Sequence, residues 1–328
     1  MIQKHKIILL FTIMVLSINN LLAKASDPLP SWNNTKVKET IINFVTKIID
    51  KSSPNFVVKE NRIATFDSDG TCWAEKPMFN HFLIVSAYMK TQIKANPSLA
   101  KREPYKSIVT GNKNYFKNLL KSSEFNDIMY QLLGVPFGGL TDKEYTAWVN
   151  DYAKKFRHPT LKTTLKGTTY QPIQELMRYL KSNGFRIYLA TADEAKFLQP
   201  LSKDLYGIPA QRVLGSAIRS NFITNKDGST RFVRSYETQY FNNANEKARL
   251  IKRNLGMKPT IAVGNSNGDL QMLQYASSTG GLALWIHHTD KKREFLYGDD
   301  DKIAPLAKSS KINEVSIKRD WKIIFTKN

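Results

Sequence analysis

The sequence of 328 residues contains one cysteine, Cys72, and only five histidines. A single cysteine cannot form an intramolecular disulfide, so stability has to come from core packing. A hydrophobic content of 41% and 14 tyrosines are typical of a folded globule. No histidine lies near Cys72 in the sequence, which favours packing at a strand end over a role as a thiol nucleophile.

Acidic residues are scarce relative to basic ones. The chain has 28 Asp and Glu against 49 Lys and Arg, a formal net charge of +21. Such a field attracts anionic substrates and polyanionic surfaces. The lysines are scattered, however, and the sequence has no arginine-rich arm, no basic stripe interleaved with aromatic residues and no zinc-binding spacing. Nucleic acid is therefore not predicted to be the main partner.

Long apolar runs are also missing. The run Ile7–Ile18 has twelve residues, too short to span a bilayer comfortably, and it follows two lysines. Ala23–Ala25 places small residues where a signal peptidase reads the chain, and no cysteine follows the run, so a lipoprotein anchor is not expected. Residues 1–25 are predicted to be a signal peptide cleaved before Ser26. This implies export, with the bacterial periplasm as destination and no membrane contact after cleavage; a retained N-terminal anchor is the alternative.

The remaining chain shows two kinds of pattern. A helix is predicted over Thr35–Lys51 and a buried strand over Ile63–Phe66, after which residues 72–170 are mostly helical, with helices at Met78–Ile93, Tyr115–Leu133 and Lys143–Phe156. Beyond residue 170 helices alternate with strands, predicted at Phe185–Thr191, Val213–Ile218, Arg231–Arg234, Thr260–Gly264 and Leu282–Ile286. Such alternation indicates an α/β fold with a parallel sheet. The predicted organisation is 26–71 and 171–328 as the core, with 72–170 as a helical insertion.

The most informative motif follows the first predicted strand. Asp67 and Asp69 stand two residues apart directly after Phe66, and the chain turns at Gly70. Open α/β sheets place reactive groups at the carboxyl ends of their strands. One carboxylate there can attack a phosphoryl group while the other transfers protons and a metal offsets the charge. The alternative is an Asp-Gly turn closing a hairpin.

Three further elements stand beside predicted strand ends. Thr191 ends a strand, Lys247 lies at the start of a helix, and Gly264–Asp269 forms a polar loop after another strand. A Thr at a strand end is often only packed, Lys247 has basic neighbours typical of an exposed helix face, and the loop could be an ordinary turn. Each element alone is weak evidence.

Together these four elements resemble, in order and spacing, the motifs of the haloacid dehalogenase superfamily. The resemblance covers residues 60–290, and the stretch Phe66–Pro77 (Phe-Asp-Ser-Asp-Gly-Thr-Cys-Trp-Ala-Glu-Lys-Pro) is its strongest link to exported acid-phosphatase-like and phosphoserine-phosphatase-like hydrolases. The resemblance implies a Rossmann-like parallel sheet with a helical cap inserted after the first motif. It implies a Mg²⁺-dependent phosphomonoester hydrolase acting on small phosphate esters.

The resemblance also implies a role for each motif residue. Asp67 would be the nucleophile that forms an aspartyl-phosphate, and Asp69 would be the general acid and base. The Thr191 hydroxyl would bind a phosphoryl oxygen. Lys247 would pair with both the phosphoryl group and Asp67. The alternative for Asp69 is a residue that only braces the loop.

A divalent cation is expected because two acidic loops and a phosphate bring excess negative charge together. Mg²⁺ suits oxygen ligands. The expected ligands are the Asp67 carboxylate, the Asp69 backbone carbonyl and the last loop, with Asn265 and Asp269. The family pattern has an acid where this sequence has Asn265, so either metal affinity is reduced or Asp269 carries more of the role.

The inserted region decides which ester enters. Phosphoserine phosphatases use a Glu to bind the substrate ammonium, but Glu75 is one residue short of that position and Lys76 occupies it. Serine phosphate is therefore not the expected substrate. His81 and His158 are interpreted as packing or surface residues. Two alternatives to hydrolysis remain open: phosphoryl transfer through the same intermediate, and an exported binding protein on the same fold with weak catalysis.

Overall fold

The computed structural model describes residues 27–112, 114–115, 132, 134–298 and 301–327. The predicted signal peptide lies outside the described residues, as does almost all of the helix predicted over Tyr115–Leu133. In the part of the chain that is described, no helix combines the length and the apolar character needed to cross a membrane.

A seven-stranded sheet forms the core. Its strands are β1 (Ile63–Phe66), β2 (Arg186–Glu194), β3 (Val213–Thr224), β4 (Thr230–Tyr240), β5 (Ile261–Gly264), β6 (Leu282–His287) and β7 (Ile312–Ser316). The order across the sheet is β4-β3-β2-β1-β5-β6-β7. All neighbouring pairs are parallel except β3 and β4. The predicted α/β class with a Rossmann-like parallel sheet is confirmed.

Helices cover both faces of the sheet. Within the described residues they are α1 (Lys36–Ile49), α2 (Asn80–Ala95), α3 (Tyr105–Thr110), α4 (Asp142–Lys155), α5 (Gln171–Ser182), α6 (Ala195–Tyr206), α7 (Asn245–Leu255), α8 (Leu270–Ser277) and the short α9 (Ile303–Leu306) and α10 (Ile317–Asp320). Helices α1 and α5 bury one apolar face in the larger core, and α7 and α8 bury theirs in a second core across the sheet. Strands β1 and β5 are buried along their whole length, as expected for parallel strands covered on both faces.

Strand β1 lies at the point where the chain changes direction across the sheet. It pairs with β2 on one side and β5 on the other. The loops that leave the carboxyl ends of β1 and β5 therefore diverge and leave a crevice between them, where α/β proteins bind their ligands. The motif loops at Asp67 and Asn265 both open into this crevice.

The region inserted between β1 and β2 is helical, as predicted. Helices α2, α3 and α4 lie in the interval 72–170, and α5 follows from Gln171 as the crossover to β2. A capping box at Thr141 and Glu144 fixes the start of α4, with each side chain bonded to the other's backbone N–H. The exact limits of the insertion stay a prediction.

The prediction for residues 213–234 was wrong in two respects. Two short strands were expected in a parallel sheet, but β3 and β4 have 12 and 11 residues and form an antiparallel hairpin. The turn at its tip contains Gly228 with a φ of +80°. The outer half of the hairpin is mostly exposed, so its sequence lacks the apolar alternation that would have marked its length. Strand β7 was also not predicted.

A buried ion pair holds the hairpin to the core. Arg234 on β4 donates Nη1 and Nη2 to the two carboxylate oxygens of Glu194, at 2.6 and 2.8 Å. Glu194 ends β2, and the guanidinium lies 3.9 Å from the ring centroid of Tyr145 on α4. Because both charged side chains are almost fully buried, each depends on the other for compensation. Core strand, hairpin and insertion therefore meet at this pair.

Replacing Arg234 with Met should lower the free energy of unfolding by about 3–5 kcal/mol, because Glu194 would remain buried without a countercharge. Urea denaturation measures the change. The matched control is Arg219→Met on β3, whose ion pair with Glu237 is exposed and is expected to contribute about 0–1 kcal/mol. Equal losses in the two variants would contradict the argument.

Candidate active site

The loop after β1 holds Asp67 at the floor of the crevice. The Asp67 N–H donates to the carbonyl of Val263 on β5 at 2.9 Å, which continues the strand pairing by one residue. The Cys72 thiol donates to the Asp67 carbonyl at 2.9 Å and is fully buried. Burial raises the pKa of that thiol. Cys72 therefore stabilises the loop through its hydrogen bond to Asp67.

Lys247 joins the two motif loops. Its ammonium lies 2.7 Å from Asp67 Oδ1 and 2.5 Å from Asp269 Oδ1, and only 2% of its side chain is exposed. Burial alone would lower the pKa of Lys247, but Asp269 and Asp67 raise it above its ordinary value. Lys247 is therefore a permanent buried cation, and the alternative of an exposed helix-face lysine is excluded.

Asp269 accepts hydrogen bonds on both of its carboxylate oxygens. Its Oδ1 accepts from Lys247, and its Oδ2 accepts from the backbone N–H groups of Asn265 and Ser266 at 3.0 and 3.1 Å. Both oxygens are occupied by the loop and the lysine. The geometry therefore favours Asp269 as a residue that positions Lys247. Its role as a metal ligand stays a prediction from the sequence.

Three oxygen atoms converge beside Asp67. The Asn265 side-chain oxygen lies 2.9 Å from the Asp69 carbonyl oxygen and 3.3 Å from Asp67 Oδ2. Thr71 donates its hydroxyl to the same amide oxygen at 3.0 Å. Turning the Asn265 amide by 180° would instead place its NH₂ group against these atoms. As oriented, the oxygens face one another without a proton between them.

The 2.9 Å contact in this oxygen cluster matches the spacing of neighbouring cation ligands, and it equally matches a hydrogen bond from the turned amide. Neighbouring ligands of an octahedral Mg²⁺, at 2.0–2.1 Å from the ion, lie about 3.0 Å apart. Within the described residues, no three His, Cys, Asp or Glu side chains are grouped so as to hold a metal. A cation here would depend on the Asp69 carbonyl and the Asn265 amide as well as on Asp67. The donor set fits Mg²⁺, which prefers oxygen ligands and retains waters.

Asp69 lies above Asp67 and faces the cleft. Trp73 donates its indole N–H to Asp69 Oδ1 at 2.8 Å, which fixes the carboxyl. The Asp193 carboxyl lies within hydrogen-bonding reach of Asp69. Burial and Asp193 raise the pKa of Asp69 well above its usual range, and burial raises the pKa of Asp193 to about 7. A raised pKa lets Asp69 carry a proton near neutral pH, as a general acid must.

Thr191 lies at the end of β2 beside this group. Its hydroxyl is 2.7 Å from the Ser68 hydroxyl and accepts from the Asp193 N–H at 3.0 Å. When Ser68 donates to Thr191, the Thr191 proton is available for a ligand in the cleft. A shift in the pairing of β2 with β3, between Ala190 and Glu194, turns the strand at this point.

The two predicted non-catalytic histidines are both buried. His158 accepts the Leu161 N–H through Nδ1 at 3.0 Å and lies away from the crevice. His81 lines the cleft: its Nδ1 is 3.2 Å from Asp193 Oδ1, and its ring stacks on Phe197 at 4.4 Å. Burial lowers the pKa of His81 to about 4, so the imidazole is neutral. Through its contact with Asp193, His81 joins helix α2 of the insertion to the end of β2.

Sequence reasoning missed the residues that brace the motif loop from behind. His288 lies 2.8 Å from the Gly70 carbonyl through Nε2 and 2.9 Å from Glu294 Oε2 through Nδ1. Tyr170 donates to the other oxygen of Glu294 at 2.8 Å. These residues lie more than 200 positions beyond Gly70 or in the insertion, and no local pattern marks them. Asp193 was missed as well, although it lies two residues after Thr191.

A cleft of about 130 Å³ brings these groups together. Its lining combines the motif residues with side chains from the insertion and from the segment after β4: Asp67, Asp69, Glu75, Phe79, His81, Phe82, Thr191, Ala192, Asp193, Phe241, Asn243, Lys247, Ser266 and Gly268. Four of the six predicted site residues line it directly. Asn265 and Asp269 lie behind Asp67 and Lys247.

Comparison with known proteins agrees with this geometry. The sequence profile of the haloacid dehalogenase-like hydrolase family matches residues 64–274, which contain all the motif loops. The chain belongs to this family. The expected recognition is thereby confirmed, and the chain has the core and the motif order of a haloacid dehalogenase-like hydrolase. No curated protein sequence matches this hydrolase.

Three solved structures are similar to this hydrolase at low sequence identity. A Bordetella pertussis protein of unknown function is 14% identical, with a TM-score of 0.50 over 78% of this hydrolase and 98% of that chain. An Anaerococcus prevotii protein of unknown function is 14% identical, with a TM-score of 0.48 over 85% and 91%. A phosphoserine phosphohydrolase-like protein from Francisella tularensis is 17% identical, with a TM-score of 0.40 over 79% and 95%. The similarity to the Bordetella protein supports the fold of this hydrolase but not a function.

Gly70 tests how tightly the motif loop of this hydrolase is packed. A Cβ at Gly70 would lie 2.2 Å from Asn265 Nδ2, whereas a Cβ at Gly256 would meet nothing within 4 Å, although the φ angles are +72° and +69°. Left-handed backbone costs about 1–2 kcal/mol for alanine. Gly256→Ala should lose that amount in urea denaturation, and Gly70→Ala should lose about 1–3 kcal/mol more through the clash. Equal losses would show that Asn265 moves freely.

Proposed function

We propose that this hydrolase is a Mg²⁺-dependent phosphomonoesterase that forms an aspartyl-phosphate on Asp67. The observation that carries the proposal is the placement of Asp67. One of its oxygens pairs with the buried Lys247, and the other borders an oxygen cluster with cation spacing. Asp69 stands beside it with a raised pKa, in the same cleft. This combination supplies a nucleophile, a proton donor and charge compensation at one point.

In the first half-reaction, an Asp67 carboxylate oxygen bonds to phosphorus while the bond from phosphorus to the ester oxygen breaks. Asp69 gives its proton to that departing oxygen, so an alcohol leaves. Thr191 donates its hydroxyl to a phosphoryl oxygen, with Ser68 donating to Thr191 in turn. Lys247 favours the ionised form of Asp67 and adds positive charge next to the phosphoryl group.

In the second half-reaction, Asp69 accepts a proton from water as the water oxygen bonds to phosphorus. The bond from phosphorus to the Asp67 carboxylate breaks, which releases phosphate and restores both carboxyl groups. The indole N–H of Trp73 holds Asp69 in place for both steps. One residue can therefore act as acid and then as base without moving.

Three groups would hold Mg²⁺: the Asp67 carboxylate, the Asp69 carbonyl and the Asn265 amide oxygen. When bound, the ion offsets the charge that the carboxylates and the phosphoryl group bring together. Burial and Asp269 raise the pKa of Asp67, and Lys247 only partly opposes this. The crevice thus has a need for further positive charge, which supports a cation at the oxygen cluster.

The size of the cleft supports a small ester. Sites for drug-sized ligands measure roughly 300–1,000 Å³, whereas this cleft measures about 130 Å³. This volume favours a compact leaving group beside the phosphoryl group. Small phosphate esters are therefore the proposed substrates.

Asp67→Asn should reduce hydrolysis of p-nitrophenyl phosphate by at least about 10³-fold, because the amide cannot form the covalent intermediate. Phosphate release from residues 26–328 measures the rate. Removal of Mg²⁺ with EDTA should abolish wild-type activity, and added MgCl₂ should restore it. Asp69→Asn should slow turnover while trapping more phosphate on the protein than Asp67→Asn does.

Three outcomes separate the competing functions. Wild-type rates retained in Asp67→Asn would overturn the nucleophile. Absence of turnover on every ester would favour a binding protein on this fold. Faster release of the alcohol than of phosphate, when a second alcohol is added, would indicate phosphoryl transfer.

We also propose that the hydrolase is exported to the periplasm. The twelve-residue apolar run after two lysines, and the small residues at 23 and 25, support this. Expression of the full chain in a Gram-negative bacterium should yield a periplasmic protein whose N-terminal residue is Ser26, read by mass spectrometry. Recovery of the full-length chain in the membrane fraction would contradict cleavage and support the retained anchor.

A further inference from the structure

Two further acids in the cleft are neither the nucleophile nor the proton donor of the proposed chemistry. Glu75 and Asp193 line the cleft together with Asp67 and Asp69, and both are more than nine-tenths buried. Burying a carboxylate is costly unless a countercharge or hydrogen bonds compensate it. What compensates each of the two therefore bears on what the cleft binds.

Asp193 has no lysine or arginine in contact with it among the described residues. Its Oδ1 lies 3.2 Å from Nδ1 of His81, a neutral imidazole, while its Oδ2 has no hydrogen-bond partner among the described residues. Asp67 and Glu75 add like charge, while the Asp69 carboxyl lies within hydrogen-bonding reach but gives its proton to the leaving alcohol in the proposed reaction. A buried carboxylate that loses this donor, on the wall of a ligand cleft, calls for a cation or donor from the ligand.

The two lysines that the structure places at the cleft are both engaged by acids other than Asp193. The chain carries an excess of 21 basic residues, yet among the described lining residues only Lys247 is a permanent cation, and it is held between Asp67 and Asp269. Lys76 reaches Glu75 at 3.4 Å from outside the lining. The acidic character at Asp193 is thus a local departure from a strongly basic protein.

The rest of the lining is aromatic. Phe79, Phe82 and Phe241 line the cleft with the two acids. A carboxylate next to aromatic faces is the environment that organic ammonium groups bind. The chain shows this chemistry at the edge of the cleft, where the Lys76 ammonium lies 4.4 Å from the ring centroid of Tyr297 and 5.5 Å from that of Phe79.

We propose that Asp193 binds an ammonium group on the leaving alcohol, with Glu75 and the three phenylalanines completing the subsite. The substrate class is then the phosphate monoester of a short amino alcohol. This inference rests on the proposed phosphomonoesterase function. An additional carboxylate on the leaving group is disfavoured, because it would face the same acids.

Paired substrates test the subsite. The probe is 2-aminoethyl phosphate, and its neutral match in size is n-propyl phosphate; p-nitrophenyl phosphate reports whether the chemistry works at all. Wild-type kcat/KM should favour the aminoethyl ester over the propyl ester by at least about tenfold, the value of one good hydrogen bond to a charged group. Phosphoserine should be used less well than the aminoethyl ester.

Asp193→Asn should reduce that preference to about twofold or less, because the amide carries no charge. The matched control is Asp151→Asn on the exposed surface of α4, which should keep the wild-type ratio. If Asp193→Asn slows both esters equally and leaves the ratio of their kcat/KM values unchanged, Asp193 acts only by tuning Asp69, and the subsite is overturned.

The wild-type protein alone can also overturn the inference if Asp193→Asn fails to fold. Hydrolysis of p-nitrophenyl phosphate that depends on Asp67, without preference for the aminoethyl ester, would reject the subsite and leave the phosphatase standing. Absence of hydrolysis of all these esters would reject both.

Discussion

The buried ammonium of Lys247 is the interaction on which the site depends. It lies in the first turn of α7, where the helix dipole disfavours positive charge, and it is nearly inaccessible to water. Only the carboxylates of Asp67 and Asp269 make that position tolerable. These carboxylates come from the loops after β1 and β5, the two strands at the point where the sheet order reverses. One cation therefore fixes the relative position of both motif loops, and hence the alignment of Asp67 with the Asn265 amide.

A second constraint governs how the insertion covers this centre. The end of β2 carries Asp193 and Glu194 in succession, and they bind groups from different elements. Glu194 holds Arg234 of the hairpin, while Asp193 meets His81 of α2. The neutral imidazole needs no countercharge and can therefore join the insertion to the core in a buried place. The strand end that carries Thr191 therefore also anchors the insertion and the hairpin.

The sequence predicted those parts of the molecule whose signal is local. Strand β1 and the loop at Asp67 follow from an apolar run ending in two acids, and α7 and β5 from clear helical and strand patterns. The sequence did not predict the hairpin of β3 and β4, because its exposed half has no buried face to create an apolar pattern. His288 and Asp193 could not be assigned either, since their importance comes from contacts with Gly70, His81 and Asp69 that the chain makes only when folded. Local patterns in the sequence identified the candidate catalytic residues. The residues that hold them in place are brought near only by long-range contacts in the folded chain.

The distribution of acids in the crevice explains an apparent defect of the motif. The family pattern has an acid where this hydrolase has Asn265, which removes a negative charge from the side of the crevice that borders the oxygen cluster. The cleft gains negative charge at its other end, where Asp193 lies on the wall beside Asp69. A neutral amide can still offer an oxygen to Mg²⁺, whereas an ammonium group requires a full charge. In the proposed reaction, a neutral amide at the cation end and a carboxylate at Asp193 would limit the total negative charge and direct it toward the leaving group.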